Sequence, residues 1–494
     1  MRIPRTMSTQ HPDNVQHAPF SKNSVIAGDD EITEAYYSYA SLHITEQLWD
    51  FEGKDADNAV VRKLLSQHEE FFRRKKLGMD VFLTYRVPNP TVEKSEGKIL
   101  LETLESIPRS SDVARVFYGE EIVPVFEVCI PMITSPKCLR RVAQYYKQIV
   151  VAKEKKVLFA GDRPLSSWVG SFFPKEIRVV PLIEDMPSLL QADRIVEEFV
   201  KKEKIKEYQR VWLARSDPAL NYGSVSTVLI EKIALQKIFD LSEKISLPLH
   251  PILGCGSAPF RGNFNPKNVK ENMTEYPSVQ TFTLQSAFKY DYDEKIVKEA
   301  VEHIENTKSK KPIFVEEQSL LPIIDKIAQV YEQQIHLLAP LINQFSKYIP
   351  ARRKRKLHIG LFGYARTGKG VSLPRAITFC ASLYSLGLPP ELLGLSTLSE
   401  KEIGIIKNIY PSFENDLQDA TQLLNKGNLA FFPKETFFPK EIAVQVQKAS
   451  ALVETKVHEE HKKDTTLIMN AFRKNKSVPA SLIVHASKLR GYLG

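Results

Sequence analysis

The stretch Gln209–Gly223, QRVWLARSDPALNYG, decides the fold. Its residues Val211–Ala214 form a short apolar run of the kind that makes a fully buried strand. The run ends abruptly in the polar residues Arg215, Ser216 and Asp217. Because a guanidinium and a carboxylate are costly to bury alone, the end of this strand predicts a ligand, a metal ion or an ion pair.

The same pattern recurs along the chain. Alternating strand and helix predicts an α/β protein with a parallel sheet and outer helices, and eight units favour a closed (β/α)8 TIM-type barrel over an open sheet. The predicted strands are Ile3–Met7, Val81–Arg86, Val123–Ile130, Ile177–Ile183, Arg210–Ala214, Leu247–Leu253, Val279–Leu284 and Lys356–Phe362. The helical patterns are Glu31–Asp50, Val60–Lys76, Cys138–Val151, Leu189–Lys204, Ser224–Lys244, Ile296–Ile304 and Leu320–Ile342.

No further strand is predicted after Phe362, and the chain beyond about Pro374 has the pattern of helices joined by polar turns. We therefore expect residues 1–390 to form the catalytic barrel with helical insertions. We expect residues 391–494 to form additional C-terminal helices packed on that barrel. The last residues, Arg490–Gly494, are a polar-tipped end that we expect to fold back towards the mouth of the barrel.

The composition, 43% hydrophobic and 26% charged residues, is that of a soluble globular protein. No apolar run approaches the length of about 20 residues that a membrane helix needs, and the amino-terminal residues have no apolar signal core. The four cysteines are scattered without a Cys-x-x-Cys pair, which is typical of reduced thiols. The sequence thus predicts a cytoplasmic protein that makes no use of a membrane.

The net charge is +9, and five basic residues run together at Arg352–Lys356. This run could bind nucleic acid, be a solvated loop, or line a site for a small anion. Zinc-finger spacing, an RNA-binding aromatic signature and basic heptads are all missing from the sequence beside it. We therefore expect no nucleic-acid partner.

In a barrel of this type, catalytic groups come from the carboxyl ends of the strands. Glu184 and Asp217 follow two neighbouring predicted strands. Their carboxylates suit one octahedral Mg²⁺ or Mn²⁺ ion with positions left for water and substrate. The alternative is that each carboxylate pairs with an arginine, for which Arg215 is the obvious candidate. We favour the metal ion, since two neighbouring carboxylates would otherwise repel each other.

Four arginines, Arg86, Arg261, Arg366 and Arg375, follow predicted strands or open the next helix. One such arginine alone is typical of a surface ion pair, but four at one barrel mouth indicate a polyanionic ligand. His11 is either a packed histidine or a proton carrier facing that anion.

Two glycine-containing loops could approach a phosphate. The loop Gly254–Asn263 contains glycines and small residues, which let backbone amides come close to a phosphate. Gly363–Gly370, GYARTGKG, nearly fits the nucleotide loop G-x-x-x-x-G-K-[ST], but Gly370 replaces the hydroxyl that would bind Mg²⁺. We therefore expect no nucleotide there.

These strand ends resemble one known family, archaeal-type phosphoenolpyruvate carboxylase, from Arg5 to about Gly394. The motifs that carry the resemblance stand in the same order: RTMSTQHPDN (Arg5–Asn14), WDFEGK (Trp49–Lys54), RVPNP (Arg86–Pro90), ARSDPALNYG (Ala214–Gly223), PFRGN (Pro259–Asn263), QSAFKYD (Gln285–Asp291) and RKLHIGLFGYAR (Arg355–Arg366). Further segments, PLIED (Pro181–Asp185) and LPRAI (Leu373–Ile377), are similar to metal and substrate segments of the larger bacterial and plant enzymes.

The resemblance implies metal-dependent carboxylation of phosphoenolpyruvate by bicarbonate, giving oxaloacetate and phosphate by way of carboxyphosphate and enolpyruvate. It implies a homotetramer, for which the helical tail is a plausible interface. The expected roles are catalysis by His11, Arg261 and Arg86, substrate binding by Arg366, Arg375, Arg215 and Ser257, and metal binding by Glu184 and Asp217.

Two other hypotheses stay open from sequence. One is a different phosphoenolpyruvate or pyruvate enzyme on the same barrel, which would not need bicarbonate. The other is a non-catalytic binding protein that uses the basic run Arg352–Lys356.

Overall fold

The computed structural model describes residues 2–54, 56–354, 365–366, 371–431, 440–474 and 476–494. Within these residues, eight parallel strands close into a barrel in chain order. They are β1 (Thr6–Ser8), β2 (Glu46–Asp50), β3 (Phe82–Arg86), β4 (Val125–Ile130), β5 (Val179–Ile183), β6 (Gln209–Ala214), β7 (Leu249–Gly254) and β8 (Thr281–Leu284). The prediction of a (β/α)8 TIM-type barrel is confirmed.

The second strand differs from the prediction. β2 lies inside the segment Glu31–Asp50, which was predicted as one helix but which leaves the helical conformation after Ala40. His43, between the helix and the strand, has a φ of 59°, a left-handed conformation that a continuing helix does not contain. The predicted strand Lys356–Phe362 lies outside the described residues, and the barrel closes without it.

Helices follow the strands around the outside of the barrel. They are α1 (Asp30–Ala40), α2 (Val60–Gln67), α3 (Glu69–Arg74), α4 (Gly97–Tyr118), α5 (Pro136–Tyr145), α6 (Ser166–Val169), α7 (Met186–Leu189), α8 (Ala192–Glu203), α9 (Ser216–Tyr222), α10 (Ser224–Ile245), α11 (Val269–Glu275), α12 (Ser286–Tyr290), α13 (Glu294–Asn306) and α14 (Glu317–Ser346). Short 3-10 helices lie at Lys94–Glu96, Val151–Lys155 and Pro259–Arg261, and a π-helix at Tyr146–Val150. None of the helices in the described part of the chain combines the length and apolarity needed to cross a bilayer.

The described residues after α14 form helices and one short antiparallel strand pair, β9 (Ala365–Arg366) and β10 (Val371–Ser372), which was not predicted. The helices are α15 (Ala376–Ser385), a 3-10 turn at Pro390–Leu392, α16 (Glu400–Ile409), α17 (Phe413–Thr421), α18 (Lys426–Phe431), α19 (Lys440–Ser450), α20 (Glu459–Arg473) and α21 (Ala480–Arg490). One hydrophobic cluster contains Leu229 of α10, Ile327 of α14 and Leu383 of α15, so the tail and the outer layer of the barrel share a core.

The barrel interior is layered, because alternate residues of each strand point inwards. In one layer, Arg210 is fully buried and pairs with Glu46 at 2.7 Å and with Glu127 at 2.9 Å. The next inward residues towards the carboxyl ends include Leu48 and Trp212, which belong to an apolar cluster across the barrel. This apolar layer separates the buried ion pairs from the polar side chains at the mouth.

Candidate functional site

A cavity of about 260 Å³ opens at the carboxyl ends of the strands. Its lining comes from strand ends, from α9 and α15 and from the last residues of the chain. The charged or titratable residues that line it are His11, Arg86, Glu184, Arg215, Asp217, Arg261, Arg352, Arg353 and Arg375. The lining thus contains six arginines and two carboxylates, and guanidinium groups suit a ligand with several negative charges. Acidic residues behind the wall, such as Asp50 and Glu31, offset part of this positive charge.

Glu184 and Asp217 both line this cavity, as expected from neighbouring strands. Glu184 directly follows β5, and Asp217 lies in the first turn of α9, which follows β6. β5 and β6 pair near their carboxyl ends, through Leu182 with Trp212 and Ile183 with Leu213. Burial raises the pKa of Glu184 well above its usual value, and the carboxylates of Asp217 and Glu52 raise it further. Carboxylates that repel each other in this way fit a divalent cation, which would relieve the repulsion.

The donor set for such a cation is small. Among the described residues there is no group of three or more histidine, cysteine, aspartate or glutamate side chains placed to hold a metal ion. Two carboxylates leave most of an octahedral shell to water and substrate oxygens, which is how Mg²⁺ is usually held. The backbone N–H of Met132 donates to Glu184 Oε2 at 2.7 Å and orients that carboxylate.

The position of Asp217 is fixed by the packing of α9. This helix starts one residue after β6 and ends at Gly223, whose φ of 87° redirects the chain into α10. A side chain at Gly223 would press on the ring of Tyr331, 3.2 Å from the added carbon. The Tyr331 hydroxyl donates to the carbonyl of Leu220 at 3.0 Å, so α14 holds the helix that carries the carboxylate.

Arg86 is held by two acidic residues that sequence reasoning did not single out. Its Nε and Nη2 donate to the two carboxylate oxygens of Asp50 at 2.9 and 2.6 Å, and Glu52 lies 3.1 Å from Nη2. All three side chains are buried. Asp50 ends the strand that was predicted as helix, and the available signal was the motif WDFEGK (Trp49–Lys54), which contains both acidic residues.

Arg261 lies at the centre of the cavity wall and is almost fully buried. Its guanidinium donates to Ser216 Oγ at 3.1 Å, to Asp13 Oδ2 at 3.3 Å and to Gln285 Oε1. The loop around it tolerates no side chain at Gly256, where an added carbon would lie 2.8 Å from the guanidinium carbon. Gly256 therefore allows the close approach of Arg261, and the approach of this loop's amides to a phosphate stays a prediction.

The last residues of the chain reach the same wall, as predicted. Leu493 lines the cavity, and its backbone N–H donates to the carbonyl of Asp13 at 2.7 Å. The carbonyl oxygen of Gly494 accepts from Arg261 Nη1 at 2.8 Å. Arg490 holds this segment in place through Nη2, which donates to the carbonyl of Leu493 at 2.6 Å.

His11 and Arg375 also line the cavity, whereas Arg366 cannot be placed there. His11 Nδ1 lies 2.9 Å from the hydroxyl of Thr9, and Arg375 immediately precedes α15. The described part of Arg366 is its backbone, in β9, so its side chain lies outside the described residues.

Two of the expected substrate residues make other contacts. Arg215 touches the cavity, but its guanidinium donates to Ser224 Oγ at 3.2 Å and lies 3.6 Å from Glu231, behind the cavity wall. Ser257 is fully buried, is not part of the cavity lining, and donates its hydroxyl to the carbonyl of Phe264 at 3.3 Å. Ser257 therefore supports the wall, whereas Arg215 lines the cavity and its Nε and Nη1 have no hydrogen-bond partner among the described residues.

The sequence was compared with known protein families and with named proteins. A sequence profile of the family described as phosphoenolpyruvate carboxylase matches residues 3–494. The chain belongs to this phosphoenolpyruvate carboxylase family. Proteins named phosphoenolpyruvate carboxylase from Methanothermobacter thermautotrophicus and Methanospirillum hungatei are each 46% identical to it, and one from Pyrococcus abyssi is 45% identical. In all three comparisons the alignment covers 100% of both chains.

Membership of the phosphoenolpyruvate carboxylase family makes this protein a carbon–carbon lyase.

The basic run Arg352–Lys356 begins inside the site. Arg352 and Arg353 are 8% and 4% exposed, and both line the cavity. Arg352 donates to the carbonyl of Val15 at 2.9 Å, and Arg353 pairs with Glu31 at 2.9 Å. The first half of the run is thus part of the site, and its last two residues lie outside the described part of the chain.

Proposed function

We propose that the cavity at the barrel mouth catalyses the carboxylation of phosphoenolpyruvate by bicarbonate, giving oxaloacetate and phosphate by way of carboxyphosphate and enolpyruvate. The observation that carries the proposal is a single cavity lined by two neighbouring carboxylates and six arginines. Phosphoenolpyruvate presents a phosphate and a carboxylate, and forked guanidinium donors bind both groups.

The metal ion of this reaction is proposed to be Mg²⁺ or Mn²⁺, held by Glu184 and Asp217. Both carboxylates line the cavity, and their mutual repulsion is reflected in the raised pKa of Glu184. When bound, such an ion supplies Lewis-acid stabilisation of the phosphate and enolate oxygens.

In the first step a bicarbonate oxygen attacks phosphorus and the bond from phosphorus to the enol oxygen breaks. This leaves carboxyphosphate and the enolate of pyruvate. Arg261, Arg366 and Arg375 are proposed to bind the phosphoryl and carboxylate oxygens while negative charge moves between them. Arg86 is proposed to act on the bicarbonate side, where Asp50 already fixes the direction of its fork.

In the second step His11 is proposed to accept the proton of carboxyphosphate, which separates into carbon dioxide and phosphate. The methylene carbon of the enolate then attacks carbon dioxide and forms the new carbon–carbon bond of oxaloacetate. Water would protonate the same carbon and give pyruvate, so the buried wall around the reacting atoms protects the product.

The experiment that tests the proposal measures oxaloacetate formed from phosphoenolpyruvate and Mg²⁺, with and without bicarbonate and without nucleotide. We expect bicarbonate-dependent turnover that Asp217→Asn lowers by about a hundredfold or more. Binding of Mn²⁺ to the protein alone, followed by its paramagnetic resonance signal, should weaken in the same variant. Pyruvate and phosphate without oxaloacetate would instead favour another enzyme of phosphoenolpyruvate on this barrel.

The assembly and the location of the protein are also proposed. We infer a homotetramer with the helical tail at an interface, a domain boundary near residue 390 and a cytoplasmic location. The four cysteines are buried free thiols, which suits a reducing compartment. Six of the fourteen exposed large apolar side chains in the described residues lie between Ile149 and Val169. We propose this segment as a second interface of the assembly.

A further inference from the structure

Glu34, on α1, is a fully buried carboxylate that does not line the cavity. Its two oxygens accept hydrogen bonds from four side chains on three segments of the chain. Oε1 accepts from Lys289 Nζ at 3.1 Å and from the Tyr290 hydroxyl at 2.7 Å. Oε2 accepts from Arg353 Nη2 at 2.6 Å and from Gln10 Nε2 at 3.4 Å. Every one of these partners belongs to a segment that ends at the cavity.

The first link leads from Glu34 to His11. Lys289 is buried, and its ammonium group donates to Ser8 Oγ at 2.9 Å and to the carbonyl of Thr9 at 3.1 Å as well as to Glu34. All three bonds of the ammonium group are therefore used. The Thr9 side chain in turn lies 2.9 Å from His11 Nδ1. The Glu34–Lys289 pair thus holds the end of β1 that carries the proposed proton acceptor.

The second link leads from Glu34 to the cationic wall. Arg353 lines the cavity and divides its guanidinium between Glu31, at 2.9 Å from Nη1, and Glu34, at 2.6 Å from Nη2. The third link is Gln10, whose Oε1 accepts from the backbone N–H of Asp50 at 3.2 Å. Asp50 accepts two hydrogen bonds from Arg86. The Glu34 carboxylate is thus connected to three sides of the cavity.

Buried ion pairs give little net stability compared with apolar packing, because desolvation offsets their attraction. Their directional bonds nevertheless hold side chains in a single geometry, and a small displacement of a catalytic group lowers the rate strongly. The arrangement around Glu34 therefore contributes mainly to geometry at the site.

We propose that Glu34 is a positioning residue of the carboxylation reaction. It fixes the position of the strand end that carries His11 relative to the Arg353 side chain. The inference rests on the proposed function, since it assigns Glu34 an effect on the fate of the enolate. If this relative position is lost, carbon dioxide is no longer held against the enolate carbon, and that carbon takes a proton from water instead. Pyruvate then forms where oxaloacetate should form.

The test compares the wild-type protein with Glu34→Gln, which keeps the shape of the side chain and removes its charge. Phosphoenolpyruvate, bicarbonate and Mg²⁺ are supplied at saturation, and pyruvate and oxaloacetate are measured separately. We expect oxaloacetate turnover to fall about tenfold and the ratio of pyruvate to oxaloacetate to rise at least about threefold. A loss of folded protein would lower both products together and leave their ratio unchanged.

The matched control is Glu275→Gln. Glu275 is equally buried and pairs with Lys232, which places the same kind of ion pair away from the cavity lining. We expect this variant to lose stability and to keep the wild-type product ratio.

A second variant, Thr9→Val, removes the hydroxyl next to His11 without changing any charge and keeps the test informative if Glu34→Gln does not fold. It should raise the product ratio in the same direction. A wild-type ratio in folded Glu34→Gln, or in Thr9→Val when Glu34→Gln does not fold, overturns the positioning role. Absence of oxaloacetate from the wild-type protein itself would instead count against the proposed function.

Discussion

At the scale of single residues, the site depends on buried charges that hold each other in place. Arg86 is typical: Asp50 binds two of its nitrogens and Glu52 contacts one of them, and none of the three side chains is more than 7% exposed. An arginine held in this way keeps its guanidinium plane in one orientation. This pre-organisation suits a small anion such as bicarbonate.

The first prediction concerns this pair. Asp50→Asn keeps an acceptor for Arg86 but loses the charge that makes the two-point contact strong. Hydrogen bonds to charged groups contribute about 1.5–3 kcal/mol, so we expect kcat/KM to fall roughly ten- to 150-fold. The measurement is steady-state oxaloacetate formation with each substrate varied in turn. Arg86→Lys keeps the positive charge but loses the two-point contact, so it should be at least as slow as Asp50→Asn. A wild-type kcat/KM in Asp50→Asn would contradict the role of the pair.

At the scale of secondary-structure elements, the helical tail supports the loop that carries Arg261. The 3-10 turn Pro390–Leu392 contains Glu391, a buried carboxylate that accepts from the Tyr384 hydroxyl and from the backbone N–H of Phe260. Burial raises the pKa of Glu391 from 4.5 to about 7. Its second oxygen has no partner among the described residues, so ionisation inside the fold is unfavourable.

This raised pKa gives the second prediction. A carboxyl group that is harder to ionise in the folded state contributes stability below pH 4.5 and loses that contribution as the pH rises towards 7. Relative to Glu391→Gln, which cannot ionise, the wild-type protein should therefore lose on the order of 3 kcal/mol of unfolding free energy across this window. Urea unfolding at a series of pH values measures the difference.

The control for this titration is Glu402→Gln. Lys326 and Ser399 hydrogen-bond to Glu402 and lower its pKa to about 2. The Glu402 carboxyl is therefore ionised above pH 5 in the folded and in the unfolded protein. The difference in stability between this variant and the wild type should stay constant from pH 5 to 7. A constant difference for Glu391→Gln as well would show that the Glu391 carboxyl ionises normally.

At the scale of the whole molecule, the barrel and the tail meet at the site. Gly494 lies 233 residues from Arg261 in sequence and contacts its guanidinium in the structure. The glycine fits closely against α15: an added carbon would collide with the carbonyl of Ile377 and lie 2.6 Å from the nitrogen of Ala381. The end of the tail therefore forms part of the cavity wall, and a side chain there would displace it.

The third prediction is that Gly494→Ala lowers oxaloacetate turnover about tenfold or more, because the charged guanidinium of Arg261 loses the hydrogen bond that it donates to the Gly494 oxygen. The collision with α15 should also lower the melting temperature, so turnover is compared at a temperature at which both proteins are folded. Gly404→Ala is the matched control: that glycine lies within α16 with open space around it, so alanine should leave turnover unchanged and favour the helix. Unchanged turnover in Gly494→Ala would contradict a role of the tail in the site.

Much of this architecture could be predicted from the sequence. Strand and helix patterns alternate along the barrel, and successive parallel strands become neighbours, so Glu184 and Asp217 were expected side by side. The same reasoning placed His11, Arg86 and Arg261 at the mouth. These predictions depend only on local pattern and on the carboxyl ends of barrel strands lying together.

Tertiary structure alone decided the rest, for one physical reason. A buried charge has no local signature, because the partner that makes its burial tolerable lies far away in sequence. β2 was predicted as part of a helix, and its acidic residues Glu46 and Asp50 are stabilised inside the barrel by Arg210 and Arg86. The links from Glu34, and the contact of Gly494 with Arg261, likewise exist only after distant segments have packed together. The sequence by itself determined the barrel and its reactive end, whereas the tertiary structure decided which charges hold that end in place.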